Sequence, residues 1–132
     1  MKTYRINTNS VIKIPKVNLA IGNFDGVHLG HKKIIENLVK KSEQININSA
    51  VLCFLPHPRQ FFTKNFDDFN IIDEQTKIEL ISFLKVNYFI SFEFNSHLAS
   101  YTAEKFVEEI LNNKFNIDTL VVGYDFKFGK DR

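Results

Sequence analysis

At 132 residues, with 44% hydrophobic and 24% charged side chains, the chain suits one globular domain with a single core and excludes a disordered or fibrous one. Seventeen Lys and Arg against fifteen Asp and Glu leave a net charge of +2 on scattered basic residues, too little for a nucleic-acid surface. The longest wholly apolar run, Ala50 to Leu55, is far too short to cross a bilayer, and Met1 to Ile6 lacks the apolar stretch of a secretory signal. The sequence therefore predicts a cytoplasmic protein with no membrane partner.

The first predicted element is a buried strand over Val17 to Ile21, ending at Gly22-Asn23. From Gly30 the apolar residues Ile34, Ile35, Leu38 and Val39 recur at spacings of three and four, which predicts an amphipathic helix. Polar Asn46 to Ser49 breaks it. Ala50 to Leu55 is a second buried strand, stopped by Pro56-His57-Pro58, which neither a helix nor a central strand tolerates. Residues 59–72 are aromatic without a period and read as a loop or short hairpin. Asp73 is placed to cap a helix reaching about Leu84, with Ile78, Ile81 and Leu84 on its buried stripe. Tyr88 to Phe92 is the third strand. Thr102 caps a helix from Ala103 to about Asn112, with Phe106, Val107, Ile110 and Leu111 as its apolar face, and Thr119 to Val122 is the fourth strand. Alternation of strands and helices predicts an α/β fold, a parallel sheet with helices on both faces, which binds ligands at the carboxyl ends of its strands.

A lone cysteine, Cys53, cannot form an intrachain disulfide and reads as a buried, reduced thiol. The fourteen phenylalanines are core residues by default. His97 belongs to no motif and reads as a surface loop residue.

The chemistry concentrates where predicted strands stop. Gly22-Asn23-Phe24-Asp25-Gly26-Val27-His28-Leu29-Gly30-His31 joins a strand to a helix through glycines and sets two imidazoles three residues apart. A helix begun this way leaves backbone N–H groups and a partial positive charge at its N-terminus, and the imidazoles add directional donors. That is a site for phosphate. Taken alone, His28 and His31 also read as ordinary turn histidines, and Asp25, His28 and His31 as three metal ligands, although three groups on one short turn seldom close a structural site. Pro56-His57-Pro58 follows the second strand and makes a rigid wall. Gly123-Tyr124-Asp125-Phe126-Lys127-Phe128-Gly129 follows the fourth strand and carries a carboxylate, which also reads as an Asx-turn residue.

These three segments in this order resemble the motifs of bacterial FAD synthetase, the FMN adenylyltransferase module of the bifunctional riboflavin kinase/FMN adenylyltransferase family. The resemblance runs from about Val17 to Arg132. It implies a Rossmann-like nucleotidyltransferase fold and transfer of AMP from ATP to FMN, giving FAD and pyrophosphate with Mg²⁺ bound to the ATP. It assigns His28 and His31 to catalysis. Gly22, Asn23, Phe24, Gly30 and Asp125 fall to ATP, with Asp125 also a Mg²⁺ ligand, and Pro56, His57, Pro58 and Phe62 to FMN. Phe61 and Phe62 are candidates to stack on the flavin, with core packing as their default.

The family's Ser-Ser/Thr-x-x-Arg segment and its riboflavin kinase domain are not among the 132 residues. The resemblance accordingly implies a partial, C-terminally truncated adenylyltransferase domain over residues 1–132. Two alternatives stay open: a non-catalytic nucleotide- or flavin-binding remnant, and a nucleotidyltransferase for another phosphate ester. The oligomeric state is not written in the sequence.

Overall fold

Short apolar runs alternating with amphipathic segments build a five-stranded sheet. The computed structural model describes residues 1–24, 29–56, 61 and 73–122. Strands β1 (Lys2–Ile6), β2 (Val17–Ile21), β3 (Asn48–Leu55), β4 (Tyr88–Glu93) and β5 (Thr119–Val122) lie in the order β1-β4-β3-β2-β5, and every neighbouring pair is parallel. The helices are α1 (Leu29–Gln44), α2 (Glu74–Ser82), a single turn α3 (Ser96–Ala99) and α4 (Ala103–Lys105), which runs directly into a π-helix over Phe106–Lys114.

Side chains alternate across the strands, so the sheet has two apolar faces. On one, Ala20, Val51, Cys53 and Phe89 pack with Ile35, Leu38 and Val39 of α1 and Ile81 of α2. On the other, Leu19, Ile21, Leu52, Ile90 and Phe92 pack with Leu98 of α3 and Phe106, Ile110 and Leu111 of the π-helix. Helices therefore cover both faces, the α/β arrangement that the alternation implied. All five residues of β2 are buried. Its one polar side chain, Asn18, ties the strand to α1: Nδ2 donates to Ser42 Oγ at 3.0 Å, and that hydroxyl donates to the Leu38 carbonyl at 2.7 Å.

The strand order locates the switch point of the sheet. From β2 the chain steps outward through β3 to β4, then returns so that β5 pairs with the opposite flank of β2. The direction reverses between β2 and β5, and in open α/β sheets ligands bind outside the carboxyl ends of the strands at this switch point.

Several expectations are corrected. The sheet has five strands, because Lys2–Ile6 pairs in parallel with β4 as an edge strand. β3 starts at Asn48 rather than Ala50, since Asn48 and Ser49 pair with Val17 and Asn18, and Ser49 is satisfied by hydrogen bonds to Asn87 Oδ1. α2 ends at Ser82, short of Leu84. The last helix is π-wound, with the Phe115 N–H donating to the Ile110 carbonyl at 3.0 Å. That winding buries Phe115 and leaves Val107 45% exposed, outside the predicted apolar face. His97 lies on the α3 turn with Nδ1 2.9 Å from Thr8 Oγ1. The loop or hairpin expected over 59–72 lies outside the described residues except for Phe61.

Candidate functional site

Gly22 leaves β2 with its N–H still bonded to the Leu52 carbonyl at 3.2 Å. Two residues later Phe24 adopts a left-handed backbone, φ 50°, unusual for a bulky side chain and costing about 1–3 kcal/mol. That turn folds the Phe24 ring back over Gly22, so close that a Cβ on Gly22 would lie 3.0 Å from Phe24 Cζ. The glycine is there because the ring occupies the space of a side chain. Between them the Asn23 carbonyl accepts the Cys53 Sγ–H of β3 at 3.7 Å, fixing the turn to the neighbouring strand.

Beyond residues 25–28, which include Asp25 and His28 and lie outside the described residues, α1 begins at Leu29. Gly30 and His31 stand in its first turn, which among the described residues carries no acidic side chain at the positive end of the helix dipole. His31 is half-buried and stands edge-on to Phe24, ring centroids 5.4 Å apart and planes at 85°. Gly22, Asn23, Phe24, Gly30 and His31 are thus joined in one strand-turn-helix unit beside the switch point. The Phe24 side chain is core, 4% exposed, so its backbone is what it offers a ligand.

Pro56 follows β3 on the same carboxyl edge. Phe61, half-buried, packs against the core and meets Phe94 edge-on at 5.3 Å, as the core default had it. β5 ends at Val122, immediately before the third segment. His57, Pro58, Phe62 and Asp125 lie outside the described residues. Among the described residues no group of three His, Cys, Asp or Glu side chains converges as a metal site.

A polar row crosses the α1/α2 face near this edge. Arg5, Ser91 and Cys53 are in register across β1, β4 and β3, one residue beyond the Leu52–Ile21 pair. Glu74, at the start of α2, takes Arg5 on Oε1 at 2.6 Å and the Ser91 hydroxyl on Oε2 at 3.2 Å. Lys77, one turn on, is buried along most of its length. Burial pushes the Cys53 thiol up to about 12, with Lys77 pulling the other way and Glu74 adding to the rise. Sequence reasoning passed over Arg5, Glu74, Lys77 and Ser91. The available signal was Lys77 itself, a lysine four residues before Ile81 on a buried helical stripe.

The opposite edge differs. An open hollow of about 400 Å³, lined by Met1, Lys2, Asn48, Lys85 and Asn87, lies at the amino ends of β1 and β3. No predicted site residue reaches it.

The FAD synthetase family model matches residues 12–132. A bifunctional riboflavin kinase/FMN adenylyltransferase of Buchnera aphidicola subsp. Schizaphis graminum is 38% identical over 97% of the chain, and proteins so described in Haemophilus influenzae and Escherichia coli K12 are 37% and 31% identical over 86% of it. The chain spans 39%, 37% and 36% of those relatives' own lengths. A crystal structure described as a macrolide-efflux protein from Streptococcus pneumoniae superposes with a TM-score of 0.82 over 99% of the chain and 44% of its own, at 23% identity, a likeness of fold. With three ordered segments, a strand order reversing at β2 and a family match over nearly its whole length, the chain belongs to the FAD synthetase family.

Proposed function

We propose that the chain transfers AMP from MgATP to FMN. A phosphate oxygen of FMN attacks the α-phosphorus of ATP, the bond from that phosphorus to the α,β-bridging oxygen breaks, and FAD and pyrophosphate leave. Little covalent chemistry falls to the protein; it must hold two anions in line and stabilise the charge that grows on the α-phosphoryl group and the departing pyrophosphate. The observation that carries this reading is at the switch point: Phe24, on a left-handed backbone after β2, stands edge-on to His31 in the first turn of α1.

In this reading His31 and His28 donate to the polyphosphate. The backbone of Gly22 to Phe24, with Gly30, lines the ATP side, and Pro56, His57, Pro58 and Phe62 form the FMN side. Mg²⁺ enters with the substrate as MgATP, since it keeps phosphates and waters as ligands beside one or two carboxylates, and Asp125 is the carboxylate assigned to it. Among the described residues no helix is long and apolar enough to cross a membrane. With a single buried thiol and ATP as substrate, a cytoplasmic enzyme is the setting.

The test is to incubate the chain with FMN and MgATP and to quantify FAD and pyrophosphate chromatographically. Equimolar products are expected, falling about 100-fold or more in His31→Ala and His28→Ala, the scale on which a transition-state donor matters. Binding of both ligands without FAD would replace this reading with a non-catalytic binding module. Failure to bind either would remove it.

A further inference from the structure

The hollow at the amino ends of β1 and β3 has a chemistry of its own. Among the described residues no acidic side chain lines it, while Lys2, at the start of β1, and Lys85, shortly after α2, both do. Neither ammonium has a carboxylate within ion-pair distance among the described residues, where Arg5 and Glu74 form the one such pair. Two like charges thus share the rim of one concavity with nothing there to neutralise them, and such a rim concentrates counter-ions.

A fixed donor stands beside them. Asn87 Oδ1 accepts from the Ser49 N–H at 2.9 Å and from the Ser49 hydroxyl at 3.2 Å. The Asn87 carbonyl takes the Lys2 N–H at 2.9 Å, which ties β1 to the same residue. With its oxygen engaged twice the Asn87 amide has a settled orientation, and its Nδ2 group, unpartnered among the described residues, keeps two N–H donors for a ligand. Lys85 stands on a left-handed backbone, φ 66°, which glycine or asparagine adopts at less cost, yet the position holds a cation. The end of α2 is closed off, since the Ser82 carbonyl accepts the Lys85 N–H at 3.3 Å and the Ile81 carbonyl the Leu84 N–H at 2.9 Å. We propose that the hollow is a second anion site, binding a phosphate group through the Lys2 and Lys85 ammoniums and the Asn87 amide. A doubly charged phosphate suits two ammoniums acting as point charges and leaves an oxygen for the amide. At about 400 Å³ there is room for a small organic body behind the phosphate as well as for the free ion. The site lies at the opposite ends of the strands from the Gly22–His31 unit and does not depend on the nucleotide reading.

The experiment titrates the ¹⁵N-labelled chain with inorganic phosphate, and separately with glycerol phosphate, and follows each backbone N–H by two-dimensional NMR for the wild type, Asn87→Asp, Lys85→Gln and Lys2→Gln. In the wild type the Lys2, Lys85 and Asn87 signals should move and saturate, with affinity falling as NaCl is raised. Asn87→Asp keeps an acceptor for both Ser49 donors and puts a negative charge where the free N–H groups were, so affinity read at these signals should fall about tenfold or more. Each lysine variant should weaken it as well. Shifts confined to Gly22–Phe24 and α1 overturn the proposal, and so do saturating shifts at the hollow that all three variants leave unchanged. Should Asn87→Asp not fold, the two exposed lysine variants decide by the same signals. Tighter binding of glycerol phosphate than of the free ion assigns the site to a phosphate monoester, and equal binding assigns it to inorganic phosphate.

Discussion

The imidazole of His31 is held edge-on against the ring of Phe24, 5.4 Å between centroids and 85° between planes. The ring in turn fills the space over Gly22. A residue in the first turn of a helix is thereby located by Phe24 and the strand end beneath it. Such edge contacts contribute about 0.5–1.5 kcal/mol beyond the area buried, comparable with the strain of the Phe24 backbone, so contact and turn sustain each other.

Gly22→Ala tests this chain of contacts. The new methyl meets the Phe24 ring at 3.0 Å, and overpacking of this kind costs about 1–3 kcal/mol. Denaturant titration should show that loss, and nucleotide affinity should fall with it because His31 moves with the ring. Lost stability with unchanged affinity would detach the ring from the site.

Cys53 should be inert in the folded protein. With its thiol pushed up to about 12 by burial, native protein at pH 8 should resist iodoacetamide and react once unfolded. An ordinary thiol titrates at 9.0 and the folded value is higher. The thiol's contribution to stability is therefore complete below about pH 9 and is lost as pH rises through about 12. Cys53→Ala should flatten that alkaline decline. Rapid native labelling would contradict the burial.

Asp73 works in the opposite direction. The Thr76 backbone N–H, followed by the Thr76 hydroxyl, holds its carboxyl below the usual 3.8. The stability this adds is present above that value and is lost as pH falls through the folded-state value. Asp73→Ala should lower the melting temperature at pH 7, with the gap from wild type closing in strong acid. A gap that persists there would mean that the carboxylate charge is not the source.

The π-winding of the last helix is checked by a pair of substitutions. Val107→Ala should change stability by less than about 0.5 kcal/mol, as for an exposed position. Phe115→Ala, which removes a fully buried ring packed near Phe92, should cost about 3–5 kcal/mol. Equal costs would restore the α-helical face that periodicity suggests.

Periodicity and punctuation made much of the fold legible. β2 and β5 are where apolar runs and their stops place them, and the caps at Asp73 and Thr102 are made as their positions imply. β1 escaped because Lys2, Thr3 and Arg5 make an edge strand mostly facing water, with little apolar signal. Asn48 and Ser49 look like a break until the distant Asn87 supplies Ser49 with its partner. The π-turn is invisible for a similar reason: a period of 3.6 was assumed, and only packing selects another. At the site, glycines and histidines marked the turn. The role of Phe24 as the ring that seats His31 depends on a left-handed backbone and on a contact between residues on either side of an undescribed stretch.

Because β2 is an interior strand with every residue buried and a partner on each flank, its amide protons can reach solvent deuterium only when most of the sheet opens. The Gly22–Phe24 turn therefore has a floor that does not fray on its own. What motion the site needs must come from elsewhere along its rim, and four-residue β5 at the sheet's border is the first strand placed to yield.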